Sequence, residues 1–171
     1  MPDLLPDLLP PSTPRLLLRR WTEGDAEPFA AMNADPEVTR FVSAVADRAA
    51  SDRLADYADG CFDRLGFGLS ALERRDTGEF IGFTGLHRMR WYPEDVEIGW
   101  RLARSAWGQG FATEAARAWV EHARGLGLPR IISIVDPGNA ASLAVTRKLG
   151  MVEGWRGEQE GRPHVVMLLT F

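Results

Sequence analysis

Residues 107–114, WGQGFATE, decide the reading of this chain. Gly108 and Gly110 stand two apart and a stretch with helical periodicity follows, so successive backbone N–H groups can turn toward one point where a helix begins near Ala112. The helix start adds its own unpaired N–H groups and the positive end of its dipole. The segment is therefore expected to cradle an anion, a diphosphate in particular, without a basic side chain.

Working outward, residues 95–102 (DVEIGWRL) read as a strand leading into the loop. Beyond it, Ala115, Ala116, Trp119, Val120, Ala123 and Leu126 mark one face of a helix that Gly127 and Pro129 end. RIISIV (130–135) reads as a buried strand, Asn139 as the cap of a helix through Leu149, Gly150 as its stop, and residues 151–159 and 164–170 as two closing strands. Upstream, residues 15–21 (RLLLRRW) suit a first strand, Asp25 a cap for a helix over AEPFAAMNA, and Asp35-Pro36 the start of a second short helix. Ala50, Leu54, Tyr57, Ala58, Cys61, Phe62 and Leu65 recur at helical spacing over about 47–65, and two antiparallel strands flank the turn at Asp76-Thr77-Gly78. Residues 1–14, MPDLLPDLLPPSTP, repeat Asp-Leu-Leu-Pro and read as a proline-rich extended arm, which leaves 15–171 as a single domain. The pattern is a mixed α/β (α+β) class with a largely antiparallel central sheet flanked by helices.

Composition narrows the function. With 20 Lys+Arg against 24 Asp+Glu the charge is -4, which argues against a nucleic-acid binder. No apolar run reaches membrane-spanning length, and the single Cys61 forms no internal disulfide, so a reducing cytoplasmic setting is expected. The three histidines show no metal-ligand spacing with Cys61, and no metal is expected. A dinucleotide-binding reading of the loop fails because Thr113 replaces the third glycine and residues 103–107 separate strand from glycines. A P-loop fails because no Gly-Lys-Ser/Thr closes it.

Four ordered blocks carry a resemblance: TPRLLLRRWTEGDAEPFAAMNADPEVTRF near the beginning, VEIGWRL, WGQGFATEA and DPGNAASLAVTRKLGM. Together they resemble the GNAT superfamily of acyl-CoA-dependent N-acetyltransferases, in its RimJ/RimL-like branch. The resemblance implies a sheet of about seven strands with a splayed parallel pair holding acyl-CoA. It implies acetyl-CoA as acetyl donor, and as acceptor an amine substrate, either a peptide N-terminus or a small molecule. The coenzyme diphosphate would lie on the loop opened by Trp107, along the amides of Gly108, Gln109, Gly110, Phe111, Ala112 and Thr113. The pantetheine arm would pair with the backbone of Trp100, Arg101 and Leu102, and Asn139 would bond it from the other side. The family's Gln or Arg three residues before the first glycine is Ser105 here, and its tyrosine four residues before Gly150 is Thr146.

Direct transfer to an amine needs a base, because a free aliphatic amine is mostly protonated near neutrality. Glu97 is the first candidate, resembling the superfamily's glutamate base, although strand alternation leaves open whether it faces solvent. Glu160, with Glu158 beside it, lies where the RimL-like branch places a glutamate; His87 and His164 stand near strand ends as further candidates. Ser142 is the candidate proton donor to the thiolate, and the N–H of Ile98, Gly99 or Trp100 the candidate oxyanion donor. Phe67, Trp91 and Tyr92 are candidates to line an amine pocket, with core packing the better reading of Phe67. The departures at Ser105 and Thr146 motivate an alternative, a non-catalytic acyl-CoA-binding or scaffold protein. Exposed strand edges and the arm offer surface for a homodimer.

Overall fold

The computed structural model of the protein describes residues 9–171, so residues 1–8 of the proline-rich arm lie outside the described residues. Seven strands form one sheet: β1 (Leu16–Arg19), β2 (Leu69–Arg74), β3 (Phe80–His87), β4 (Glu97–Leu102), β5 (Arg130–Val135), β6 (Val152–Gln159) and β7 (Arg162–Thr170). Their spatial order is β1-β2-β3-β4-β5-β7-β6. Every neighbouring pair is antiparallel except β4 and β5, which are parallel and share a single register pair, Glu97 with Ile132. Four helices flank the sheet: α1 (Ala26–Ala34), α2 (Arg48–Leu65), α3 (Phe111–Gly125) and α4 (Ala140–Lys148). No helix among the described residues is long and apolar enough to cross a membrane.

The face under α3 holds the larger core. Ile98 and Leu102 of β4 are buried there with Phe111, Ala115, Ala116, Trp119 and Ala123, the apolar face expected of that helix. Phe67 also lies in this core at 7% exposure, as its packing reading required. On the opposite face, α1 and α2 cover Leu69, Ala71, Phe80 and Phe83 with Phe29, Met32 and Ala58.

Two local expectations are corrected. No helix forms after Asp35-Pro36: the Asp35 carboxylate accepts the Glu37 N–H at 3.0 Å, its carbonyl accepts from both Val38 and Thr39, and residues 36–42 run as successive turns. An aspartate that bonds the backbone two residues on competes with helix propagation. Asp25 precedes α1 but makes no side-chain cap to it. Its buried carboxylate turns back to the Thr22 N–H at 2.9 Å and to Arg19 at 2.7 and 2.8 Å. Burial opposes ionisation of Asp25, yet the Arg19 and Thr22 hydrogen bonds outweigh it and hold the carboxyl below the usual range.

Candidate active site

The loop after β4 begins with one 3-10 turn, Arg104–Ala106. The Trp107 indole then folds back and donates to the Leu102 carbonyl at 2.9 Å, which closes the end of β4 against the loop. Gly108 and Gly110 have φ of 71° and 82°, and Gly110 caps α3, which starts at Phe111, one residue before the expected Ala112. These left-handed backbones are the reason for glycine at both positions. Among the described residues, none of the six N–H groups from Gly108 to Thr113 donates to a protein acceptor; the first helical bond is Glu114 N–H to Gly110. Six free amides at a helix start fit a diphosphate.

A clamp between distant segments fixes this loop, and the sequence reading missed it. The Glu114 carboxylate accepts from the Thr13 hydroxyl at 2.6 Å, the Arg15 N–H at 3.0 Å and Arg15 Nε at 2.6 Å, while Arg15 also donates to the Gln109 carbonyl at 2.9 Å. Turning the Gln109 carbonyl to a guanidinium keeps an acceptor occupied beside a set of amide donors. Partial burial opposes ionisation of Glu114, but the hydrogen bonds from Thr13 and Arg15 prevail and lower its pKa. The Gln109 side chain donates to the Ser105 carbonyl at 2.9 Å, so position 105 serves the loop through its main chain. A groove of about 1120 Å³ continues from Gly110 and Thr113 along the outer face of α3 past Arg117 to Lys148.

Beyond the single β4–β5 pair the two strands separate. Ile132 N–H donates to the Val96 carbonyl at 2.9 Å, but the next β5 donor facing β4, Ile134 N–H, goes to the Glu97 side chain at 3.2 Å. The carboxylate thus stands where a ladder bond would be. Glu97 is 7% exposed, which resolves the alternation question against solvent. Its second oxygen lies 3.1 Å from His87 Nε2, and His87 Nδ1 lies 3.3 Å from the Tyr57 hydroxyl of α2.

The other wall of the splay belongs to α4. Asn139 caps that helix by accepting the Ser142 N–H at 3.1 Å, and the Trp100 indole donates to the Ser142 hydroxyl at 3.3 Å. Alternation along β4 therefore puts Glu97 on the α2 face and Trp100 with Ser142 on the α4 face, with the opening between them. The same alternation corrects one expected contact. The Val96 carbonyl faces β5, so the main-chain groups of Ile98, Trp100 and Leu102 also face that way, whereas those of Gly99 and Arg101 face β3. Arg101 thus has no backbone group at the opening, and the Leu102 carbonyl is taken by Trp107. Of the three candidate oxyanion amides, Trp100 N–H lies beyond the last paired residue and faces the opening.

Other candidates lie apart from this group. Glu160 sits on the exposed β6–β7 turn at φ 52° and pairs with Arg90 at 3.0 Å, so the fold joins it to the loop after β3 and not to Glu97. Glu158 lies exposed on β6. His164 is buried, with Nε2 2.7 Å from the Tyr92 hydroxyl, and Tyr92 packs edge-on against Trp155, so this pair braces the hairpin. The Arg90 guanidinium stands 5.4 Å from the Trp91 ring centre. Thr146 is fully buried and donates to the Leu143 carbonyl at 2.9 Å, which occupies its hydroxyl. The Arg101 side chain meets only neutral partners, Asn33 at 2.7 Å and the Phe83 ring, and burial pushes its pKa down to about 10. No group of three or more His, Cys, Asp or Glu among the described residues could hold a metal.

Comparison with known proteins agrees with this geometry. Residues 15–152 match the acetyltransferase (GNAT) domain. Two Bacillus subtilis proteins, the uncharacterized protein YkkB and the uncharacterized N-acetyltransferase YoaA, are each 33% identical. The first match covers 81% of this chain and 83% of YkkB, the second 81% and 80% of YoaA. An acetyltransferase from Agrobacterium tumefaciens shares 26% identity and a TM-score of 0.85 over 95% of both chains. RimL, a ribosomal-protein acetyltransferase solved in complex with coenzyme A, shares the fold, with a TM-score of 0.78 at 16% identity over 94% of this chain and 96% of that one. The protein is a member of the GNAT acetyltransferase family.

Proposed function

We propose that the protein moves an acetyl group from acetyl-CoA to a primary amine, a peptide or protein N-terminus or a small amine, by direct transfer in a ternary complex of RimJ/RimL-like kind. One observation carries this reading: Glu97 and Ser142 stand on opposite faces of the sheet at the β4–β5 opening, and the glycine loop lies at the end of β4. The diphosphate fits the six free amides, and the nucleotide end has Arg117 and Lys148 along the groove that continues from them. The pantetheine arm runs beside the Trp100 main chain, with the side-chain amide of Asn139 on the other wall.

Each residue then has a chemical task. Glu97 accepts a proton from the acceptor ammonium, Trp100 N–H supports the developing oxyanion, and the Ser142 hydroxyl donates toward the departing sulfur. Glu160 has no task in this scheme, because it stands on the β6–β7 turn and its carboxylate is paired with Arg90. A second reading, a non-catalytic acyl-CoA-binding protein, is favoured by the commitment of the Thr146 hydroxyl to Leu143. The test mixes protein, acetyl-CoA and a panel of peptide and small primary amines and follows thiol release, with mass spectrometry of the acetylated product. Turnover with at least one amine supports acetyl transfer. Binding of acetyl-CoA without turnover across the panel favours the second reading.

A further inference from the structure

We infer that His87 holds the base Glu97 in place through its Nε2–H, and that Tyr57 is a positioning residue acting on Glu97 through His87. The inference rests on the reading of Glu97 as the base. Glu97 accepts twice, from Ile134 N–H and from His87 Nε2 at 3.1 Å. An ionised carboxylate has no hydrogen to give, so the neutral imidazole must carry its proton on Nε2 and leave a lone pair on Nδ1. That lone pair faces the Tyr57 hydroxyl at 3.3 Å, and the same hydroxyl lies 3.3 Å from the Arg88 carbonyl.

The hydroxyl therefore has a partner in either protonation state. With neutral His87, Tyr57 donates to Nδ1. With the imidazolium, Nδ1–H donates to the Tyr57 oxygen and the hydroxyl hydrogen turns to the Arg88 carbonyl. No heavy atom has to move. The surroundings support this arrangement. Cys61 and Arg64 of α2 flank Tyr57, and burial, then Cys61 and the Glu97 charge, push the Tyr57 pKa up to about 12, so it remains a donor. From β4, Gly99 lies beneath the ring, where a Cβ would stand 3.7 Å from His87 Nε2. Tyr57 is 39% exposed, which connects the far end of the chain to solvent.

The reaction requires a carboxylate positioned to take one proton. The acceptor R–NH₃⁺ gives one proton to Glu97, and the freed lone pair forms the bond to the thioester carbon. As the C–S bond breaks, the nitrogen loses a second proton and the sulfur leaves as thiolate and gains one. The balance is amide, thiol and one proton, held on Glu97 and then released to water.

The test is ¹⁵N NMR of histidine-labelled protein, with His87→Gln to assign the resonances and His122 and His164 to report folding. The wild type is expected to show neutral His87 as the Nε2–H tautomer. In Tyr57→Phe the hydrogen bond to Nδ1 is lost, so the His87 Nδ1 resonance is expected to move from its wild-type position while those of His122 and His164 stay. In kinetics, Tyr57→Phe is expected to reduce kcat about tenfold with KM for acetyl-CoA unchanged. An Nδ1–H tautomer in the wild type, an unmoved Nδ1 resonance in Tyr57→Phe, or an unchanged kcat overturns the inference. The NMR arm needs no acceptor, so it decides the Tyr57–His87–Glu97 arrangement even where no amine is turned over, an outcome that counts against the acetyl-transfer reading alone.

Discussion

Glu97→Gln is expected to lower kcat by roughly 10²- to 10³-fold, the scale of a lost general base, while KM for acetyl-CoA stays within about twofold. The substitution keeps an oxygen for the Ile134 N–H, so the separation of β4 and β5 is preserved. What is lost is the acceptor for the ammonium proton. The variant must then rely on amine already neutral in solution, whose fraction grows about tenfold per pH unit below the amine pKa. Its rate should therefore climb with pH more steeply than the wild type's near neutrality. Steady-state rates from pH 6 to 10, ~0.5 unit apart, check this, because a residue that merely braced the strands would lower both profiles in parallel. Unchanged turnover would remove Glu97 from the chemistry.

Gly85→Ala is expected to damage the scaffold itself. A Cβ at Gly85 would lie 2.0 Å from the Gly68 carbonyl oxygen and 2.8 Å from the Leu69 Cα, both main-chain atoms, in the strand that carries His87. Leu86 N–H already bonds that carbonyl at 3.0 Å, so β2 and β3 cannot part without losing the ladder. The cost is about 3 kcal/mol, a fall in Tm of roughly 10 °C for a domain of this size. Gly125→Ala is the control. Nothing lies within 4 Å of a Cβ there, in the last turn of α3, and the better helix former should leave Tm unchanged or slightly raised. Thermal denaturation of the two variants separates close packing from a general sensitivity at glycine. Equal melting of Gly85→Ala and wild type would show that the β2–β3 approach can relax.

The parts legible in the sequence were those set by neighbours in the chain. Two glycines before an amphipathic stretch give the loop and α3, and Asn139 three residues before Ser142 gives the cap of α4, because both depend on backbone conformations reached locally. The Asp35-Pro36 helix was also a local reading, and it failed because the aspartate side chain satisfied the backbone first. Alternation identified the two faces of β4 but not which was buried, since that depends on His87 of β3 and Tyr57 of α2. Tyr57 illustrates the limit: helical spacing assigned it to an apolar face, yet it is partly exposed and its value lies in its hydroxyl. The Arg15–Glu114 clamp spans 99 positions, and no local signal pairs one arginine with one glutamate at that distance. The family resemblance places Arg101 at the opening, while strand geometry turns its main chain away.

The central claim is that the glycine loop holds the acyl donor beside Glu97. Calorimetric titration of acetyl-CoA into the wild type and into Gly110→Val tests it most directly. Valine at a φ of 82° costs about 1 to 3 kcal/mol and turns the cradle amides out of line, so affinity should fall tenfold or more, about 1.4 kcal/mol per decade. The account predicts saturable binding at one site per chain in the wild type and weakened binding in the variant. Absence of acetyl-CoA binding by the folded wild type, or equal affinity in both proteins, would contradict it.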